Sequence, residues 1–430
     1  MRSKNSHNLL KINKNIITIT CLLIIYFLSL NYIFLSLIGP NFGGFFVEYE
    51  LKKMILSLSI ILGIIFPLLS ITYKNNLYFL LVFFICINQL ISELVLFSCQ
   101  NISFMVPLSS IIFLIIACII SKLKINISPP YKIKYKKTPL YVLTALFIGV
   151  IIFKFGINTN LNLLQLSSDL IYDQRETYHN TSNKYLDYIL TWLYKVLIPL
   201  IFILSISNKS RIISILSMLG ILTLFLTTAM KGILFSILIL IFFVLYKKSF
   251  IQQSLSINIY LILLIWISYF IDKTTNIYIM TSLFARRTFL TPALVKSKYF
   301  EFFENNHMYL GNSVFRSFVD NPYETNTAKV IGETYLGVGW ANTGFLGDAF
   351  MNFGLPGIII YSIITSLIIL YFSKLNPLPI TAGIFVLFVF TLNDGSLFTQ
   401  MLTGGGFLLI PLSYIFLYTP QINIEKSLNK

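Results

Sequence analysis

Three arginines stand in polar segments between long apolar runs, where they could bind an anionic substrate. Arg175 lies in one such segment, and the pair Arg286-Arg287 lies in another. A guanidinium group binds phosphate oxygens bidentately and can stabilise the charge on a departing pyrophosphate. Simpler explanations exist for both sites. Arg175 would pair with Asp173 or Glu176 in water, and Arg286-Arg287 would contact lipid phosphates at a helix end.

A histidine and an aspartate are candidates for proton transfer and for substrate positioning. His307, one of three histidines, lies in a polar stretch. Its imidazole could accept a proton from a sugar hydroxyl near neutral pH, or could simply be solvated. Asp348 begins an apolar run, where an ionisable residue faces a cavity or the protein interior, or else interacts with the positive end of a helix dipole.

Two lysines extend the candidate binding set. Lys231 occupies a tight turn between apolar runs, where it either contacts an anion or extends to the membrane surface. Lys195 lies inside an apolar run. Aromatic rings of the polar segment after residue 273 could stack on sugar faces; they are Tyr299, Tyr335 and Trp340. The full set predicted to bind substrate is Arg286, Lys231, Lys195, Tyr335, Asn342 and Asp348.

No motif for a metal or a nucleotide occurs in the chain. There is no D-x-D pair, no H-E-x-x-H motif and no Walker-type glycine-rich loop, so neither a metal site nor a cofactor is expected. The four cysteines form no C-x-x-C pair, which argues against zinc and against a disulfide framework. Gly404-Gly405-Gly406 is better explained by close helix packing than by phosphate binding.

The composition is that of a membrane protein. Of the 430 residues, 56% are hydrophobic and 11% are charged, whereas soluble proteins carry about 25% charged residues. The net charge of +16 does not indicate nucleic acid as a partner, because the basic residues cluster between apolar runs and would face an anionic membrane leaflet. Little of the chain is left for a large soluble domain.

The apolar runs predict about twelve membrane-spanning helices within one integral membrane domain, residues 1–430, because each span needs about 20 apolar residues. The first run is longer than a signal-peptide core and should remain as a span. The predicted spans lie near 16–38, 54–73, 77–97, 103–120, 139–155, 187–206, 212–229, 232–246, 257–272, 345–372, 378–393 and 403–419.

Basic residues predict which way the spans run. More than half of the 32 Lys and Arg residues fall in one set of alternating segments, which the positive-inside rule places in the cytoplasm together with both termini. Two long segments, 156–186 and 273–344, are then external. The second mixes basic and aromatic residues, as expected of short amphipathic helices on the outer membrane face.

These features resemble those of the Wzy-type polymerases of bacterial surface polysaccharides, the O-antigen polymerases. The resemblance rests on the predicted topology and on short stretches in matching order. They are Arg175 with Trp192 to Pro199, Arg286-Arg287-x-x-x-x-Pro292, Ile331 to Tyr335 with Ala341 to Gly344 and Asn352 to Gly354, and Asn393 to Leu397 with Leu402 to Gly405.

The resemblance implies transfer of a growing glycan from a polyprenyl pyrophosphate carrier to a lipid-linked repeat unit. Arg175 and Arg287 match the external arginines that bind the acidic lipid-linked substrates in that family and take part in catalysis. The sequence does not separate Arg286 from Arg287. By similarity to related ligases, His307 would act as the general base.

The resemblance also implies a GT-C-like architecture, metal-independent transfer, and residence in the bacterial cytoplasmic membrane. The expected partners are polyprenyl-pyrophosphate-linked oligosaccharides, the lipid bilayer, a chain-length regulator and a flippase.

Two other functions fit the same sequence. A lipid-linked oligosaccharide flippase or other transporter would place charges in the middle of its spans and would have related halves. An O-antigen-ligase-like enzyme would use the same donor with a different acceptor. The polar residues concentrate outside the predicted spans, which favours an external reaction over transport.

Overall fold

The computed structural model describes residues 2–72, 76–127, 137–156, 161–165, 168–246, 248–313, 318–319, 323, 325–337 and 339–419. Within these ranges the chain is helical and contains no β-strand. Backbone groups in a bilayer must be hydrogen-bonded internally, and helices achieve this within one segment. The prediction of an all-helical, multi-pass membrane protein is confirmed at this level.

Eight of the described helices are long and apolar enough to cross a membrane. They are Ile17–Asn41, Leu51–Ile71, Leu77–Cys99, Thr138–Phe155, Lys184–Ser207, Arg211–Thr228, Phe250–Thr275 and Phe345–Lys374. Four shorter apolar helices of 10–17 residues are Met105–Ile120, Gly232–Leu245, Pro379–Thr391 and Gly406–Leu417. Every predicted apolar run therefore coincides with a helix, although four of these helices are shorter than the roughly 20 residues of a typical span.

The two predicted external segments contain short helices. Ser168–Thr181 lies in the first. In the second, a continuous helical stretch consists of Ile279–Thr281, Ser282–Leu290 and Thr291–Phe302, and Thr327–Ile331 and Gly332–Leu336 follow it. We refer to Thr291–Phe302 as the Lys296 helix. The amphipathic character expected here is wrong for this helix, because most of its side chains, including Lys296, are buried.

The chain divides into two compact units. Unit 1 comprises Met1–Lys124, Ser249–Tyr371 and Val389–Leu397, and unit 2 comprises Ile125–Lys248, Phe372–Phe388 and Phe398–Lys430. The helix Leu77–Cys99 lies at the centre of unit 1, and all of its residues are buried. In unit 2, Lys184–Ser207 packs against Arg211–Thr228.

A buried ion pair joins two elements of unit 1. Lys296 Nζ lies 2.7 Å from Glu93 Oε1 and 3.2 Å from Ser110 Oγ. The side chains are almost inaccessible, with 4% of Lys296 and 1% of Glu93 exposed. Burial lowers the pKa of Lys296, whereas Glu93 beside it acts in the opposite direction. The pair ties the Lys296 helix to the buried helix Leu77–Cys99.

This ion pair leads to a stability prediction. Lys296→Met leaves the Glu93 carboxylate buried without its cation and should cost about 3–5 kcal/mol. The double variant Glu93→Leu/Lys296→Met removes both charges and should recover most of that loss, because two apolar side chains replace the pair. Thermal unfolding of the purified protein in detergent measures both effects. A double variant as unstable as the single one would contradict this account.

Candidate functional site

Arg286 and Arg287 lie in a wide helical turn whose start is held by a buried aspartate. The Asp272 carboxylate accepts hydrogen bonds from Met280 N at 3.1 Å and Thr281 N at 2.6 Å. The next residues, Ser282–Leu290, adopt π-helical geometry. Such widened turns are uncommon and often occur at functional sites.

The two arginines have different environments. The Arg286 guanidinium lies over the Phe42 ring at 4.4 Å, and its Nε and Nη2 donate to Ser282 Oγ at 3.1 and 2.7 Å. Arg287 is exposed, and its guanidinium has no hydrogen-bond or ion-pair partner among the residues described. The contacts with Phe42 and Ser282 therefore hold the Arg286 side chain in place, whereas Arg287 is available to bind an anion.

Three of the sequence stretches that carried the resemblance meet beside these arginines. Asn393 Nδ2 donates to Thr288 O at 3.3 Å, and Phe345 N donates to Leu392 O at 3.0 Å. A Cβ on Gly344 would lie 2.4 Å from Asn393 O, so only glycine permits this approach. Segments far apart in sequence thus surround the turn that carries Arg287.

His307 lies against a break in the helix Phe345–Lys374. Gly354 has φ +61° and ψ −142°, which interrupts the helix. The His307 ring packs there, since a Cβ on Gly354 would lie 2.7 Å from Nε2. The ring also meets Phe350 edge-on at 5.7 Å, and its Nδ1 is buried without a partner among the described residues. Packing fixes this imidazole, and its use as a base stays a prediction.

The break explains why the His307 segment binds at this point. Pro356 has no N–H group, so Asn352 O lacks its usual helical donor. Tyr309 N donates to that oxygen at 3.1 Å, and Leu310 N donates to Asn352 Oδ1 at 2.8 Å. Tyr309 and Leu310 both have positive φ, 45° and 70°, a conformation that costs non-glycine residues free energy. The bonds to Asn352 hold this turn in place.

Asp348 supports this turn and is not exposed to solvent. Its side chain is buried, and Asn352 Nδ2 donates to Asp348 O at 2.8 Å and to Asp348 Oδ1 at 3.2 Å. This fixes the amide whose oxygen accepts from Leu310. In the structure, Asp348 is therefore a positioning residue for the His307 segment.

The predicted sugar-stacking residues separate into core and surface. Tyr299 is buried and donates its hydroxyl to Ala341 O at 3.0 Å, so its predicted stacking on a sugar is wrong. Tyr335 is half-buried, with Lys298 Nζ 5.2 Å from its ring centroid. Trp340 and Asn342 are exposed.

Arg175, in unit 2, binds the end of a helix. Its Nε donates to Ala229 O at 3.1 Å, next to Gln174 Nε2, which donates to Thr227 O at 2.8 Å. Ala229 has φ +51° and ends the helix Arg211–Thr228. A basic side chain at the carboxyl end of a helix satisfies free carbonyls and the helix dipole. The side chain of Lys231, two residues further on, lies outside the described part of the structure.

Lys195 forms a second polar contact in unit 2. Its Nζ donates to Gln400 Oε1 at 2.9 Å, and Trp192 Nε1 donates to Leu402 O at 3.2 Å. Gly405, with φ +84°, packs closely against the helix Lys184–Ser207. A Cβ atom at this position would lie 2.8 Å from Val196 Cγ2. Close packing is thus the role of this glycine, as its sequence predicted.

The candidate residues therefore form two sets. Unit 1 holds Arg286, Arg287, His307, Tyr335, Asn342 and Asp348, and unit 2 holds Arg175, Lys195 and Lys231. Convergence of Arg175 with Arg287 on one anion stays a prediction. The Glu93–Lys296 pair was not predicted from the sequence, although Glu93 is the only charged residue in the run 77–99. Comparison with models of protein families, with curated proteins and with solved structures finds no match.

The contrast between the two arginines can be measured. Arg286→Ala should lower the melting temperature of the purified protein by several degrees, because it removes the stacking on Phe42 and both bonds to Ser282. Arg287→Ala should leave the melting temperature within about one degree, because an exposed side chain with no partner among the described residues contributes little to stability. Equal losses in the two variants would contradict the assignment.

The helix break gives a second stability prediction. Gly354→Ala should destabilise the protein by about 1–3 kcal/mol, because the backbone conformation is nearly exclusive to glycine and the new methyl group meets His307. Gly149→Ala is the matched control, since Gly149 lies in a helix with open space at its Cβ position. Thermal unfolding compares the two, and similar melting temperatures would show that the break is not needed.

Proposed function

We propose that this chain is a polysaccharide repeat-unit polymerase. It transfers a growing glycan from a polyprenyl pyrophosphate carrier to a lipid-linked repeat unit at the outer face of the bacterial cytoplasmic membrane. The observation that carries the proposal is the exposed guanidinium of Arg287, which has no partner among the described residues, whereas the neighbouring Arg286 is held by Phe42 and Ser282.

The chemistry needs a group that accepts negative charge. The bond between the anomeric carbon of the donor sugar and a pyrophosphate oxygen breaks, and a bond from that carbon to an acceptor hydroxyl oxygen forms. The pyrophosphate leaves on its lipid with additional negative charge, and the hydroxyl proton passes to a base. Arg287 binds the departing oxygens bidentately and stabilises that charge. His307 is the proposed base, and Arg175 is the proposed second anion-binding residue.

The contacts in unit 1 support the proposed topology. The segments near 42–50, 100–104 and 279–302 are all predicted to be external, and contacts join them. Glu48 N donates to Cys99 O at 2.8 Å, and Gln100 Nε2 donates to Gly44 O at 3.0 Å. We also propose that the chain has twelve spans, both termini in the cytoplasm and a GT-C-like architecture.

A ligase-like transferase is the second candidate, and the position of His307 favours it. The imidazole is fixed by Phe350 and by the break at Gly354, on a segment predicted to be external. A ligase would use the same donor and the same anion-binding arginine but a different acceptor. The two functions therefore differ in product rather than in the part of the site described above.

The decisive measurement is the size distribution of surface polysaccharide and of its lipid-linked precursors in cells deleted for this gene. Complementation with the natural sequence should restore polymer. Arg287→Ala, at equal membrane abundance, should leave only single repeat units, and Arg287→Lys should restore less than the natural sequence because a lysine cannot bind bidentately.

Lys329→Ala is the matched control, since Lys329 is a partly exposed cation of the same predicted external segment, and its contact with Glu333 is long, 3.7 Å. It should support normal polymer. Long polymer retained on its lipid carrier would identify a ligase, and lipid-linked precursors trapped on the cytoplasmic side of the membrane would identify a flippase. Undiminished polymer with Arg287→Ala would exclude the role given to this residue.

A further inference from the structure

Unit 1 contains a cavity of about 300 Å³ beside the Lys296 helix. One wall comes from that helix, one from the residues that follow Cys99, and one from Phe46 and Phe350. A volume of this order is at the lower end of the range for small-molecule sites. We call this cavity the Glu304 pocket, after a carboxylate in its lining.

One lining residue has a buried polar atom without a hydrogen-bond partner among the described residues. Gln100 lines the pocket and is 2% exposed. Its Nε2 donates to Gly44 O at 3.0 Å, which fixes the orientation of the amide because a carbonyl oxygen can only accept. The other end, Oε1, is buried and has no hydrogen-bond partner in the described part of the chain. Burial of this acceptor without a donor is costly, and a ligand hydroxyl or amino group that reaches the Gln100 amide from the pocket would satisfy it.

Aromatic rings form the apolar part of the same pocket. Phe300 and Phe350 stack in parallel with centroids 4.0 Å apart. Phe46 also lines the pocket and is 47% exposed, which leaves much of its ring accessible. Apolar rings combined with a few fixed polar groups are typical of a small-molecule site. A sugar ring has both an apolar C–H face and hydroxyl groups, so it fits this combination.

The charges of the lining select among sugars. Lys298 Nζ pairs with Glu301 Oε2 at 2.8 Å, which neutralises the only cation among the described lining residues. Glu304 is exposed and has no ion-pair or hydrogen-bond partner among the described residues. The pocket therefore carries a net negative charge, which attracts an amino group and repels a carboxylate.

We infer that the Glu304 pocket is a subsite for an uncharged or amino-bearing sugar unit of the lipid-linked substrate. The inference rests on the proposed function for the identity of the larger molecule. The subsite itself rests on the rings and on the Gln100 oxygen and Glu304 carboxylate, which have no partner among the described residues. Phe350 belongs to both sites, since it lines the pocket and contacts the His307 ring.

The test measures sugar binding directly. The full chain in lipid nanodiscs is titrated with the methyl glycosides of glucose and galactose, with their 2-amino forms and with the corresponding uronic acids, and saturation-transfer NMR follows binding. At least one neutral or amino glycoside should bind saturably, and its uronic acid should bind at least tenfold more weakly.

Substitutions in the lining should separate the contributions. Gln100→Leu should weaken binding at least tenfold, since a site built to accept a hydrogen bond loses that bond. Phe46→Ala should weaken binding of all glycosides, and Glu304→Gln should reduce the discrimination against uronic acids. Both of these side chains are exposed, so the variants remain informative if Gln100→Leu fails to fold. Glu333→Gln is the control, because Glu333 is an exposed carboxylate outside the pocket, and it should bind as the natural sequence does.

Two results would overturn the inference. One is the absence of saturable binding by every glycoside, and the other is binding that Gln100→Leu, Phe46→Ala and Glu304→Gln leave unchanged. Because binding is measured without polymer formation, this outcome is separate from that of the proposed function. Intact sugar binding with normal polymer in Arg287→Ala cells would keep the subsite and reject the role of Arg287.

Discussion

The buried ion pair between Lys296 and Glu93 is the interaction on which the candidate site of unit 1 depends. It holds the Lys296 helix against a helix that is itself wholly buried. Arg287 precedes the Lys296 helix in one continuous helical stretch, and His307 follows that helix. Several residues of the Lys296 helix line the Glu304 pocket. Two charges in a low-dielectric interior cannot be separated cheaply. The pair therefore sets the position of the groups on either side of it.

A second constraint comes from the backbone carbonyl groups that the helix break leaves without their usual helical donors. Within a membrane protein an unsatisfied carbonyl costs several kcal/mol. Gly354 and Pro356 interrupt the helical pattern, and Met351 O and Asn352 O then accept from Met308 N and Tyr309 N at 2.9 and 3.1 Å. The His307 segment and the broken helix thus stabilise each other. Neither conformation would be favourable alone, because the segment carries two left-handed residues.

The sequence predicted the helices better than the site, and the reason is physical. An apolar run long enough to span a bilayer has few structural alternatives, so helices were found wherever such runs occur. Side-chain partners depend on contacts across the fold. Glu93 lies 203 positions before Lys296, and the stacking of Arg286 on Phe42 likewise joins remote segments. No local pattern distinguishes Arg286 from Arg287 or predicts that Lys296 is buried.

The arrangement of Arg287 and the Glu304 pocket bears on substrate length. Arg287 and part of the pocket lining belong to the stretch from Ile279 to Phe302, in which Leu294 and Glu301 lie roughly 10 and 20 Å beyond Arg287 at the rise of an α-helix. A single pyrophosphate or a single sugar at Arg287 does not reach the part of the pocket beside Glu301. An oligosaccharide on a lipid pyrophosphate can do so, with its anionic end at Arg287 and a sugar in the pocket. Under the proposed function, binding energy from the remote sugar would help to orient the reacting pyrophosphate, as expected when substrate recognition contributes to catalysis.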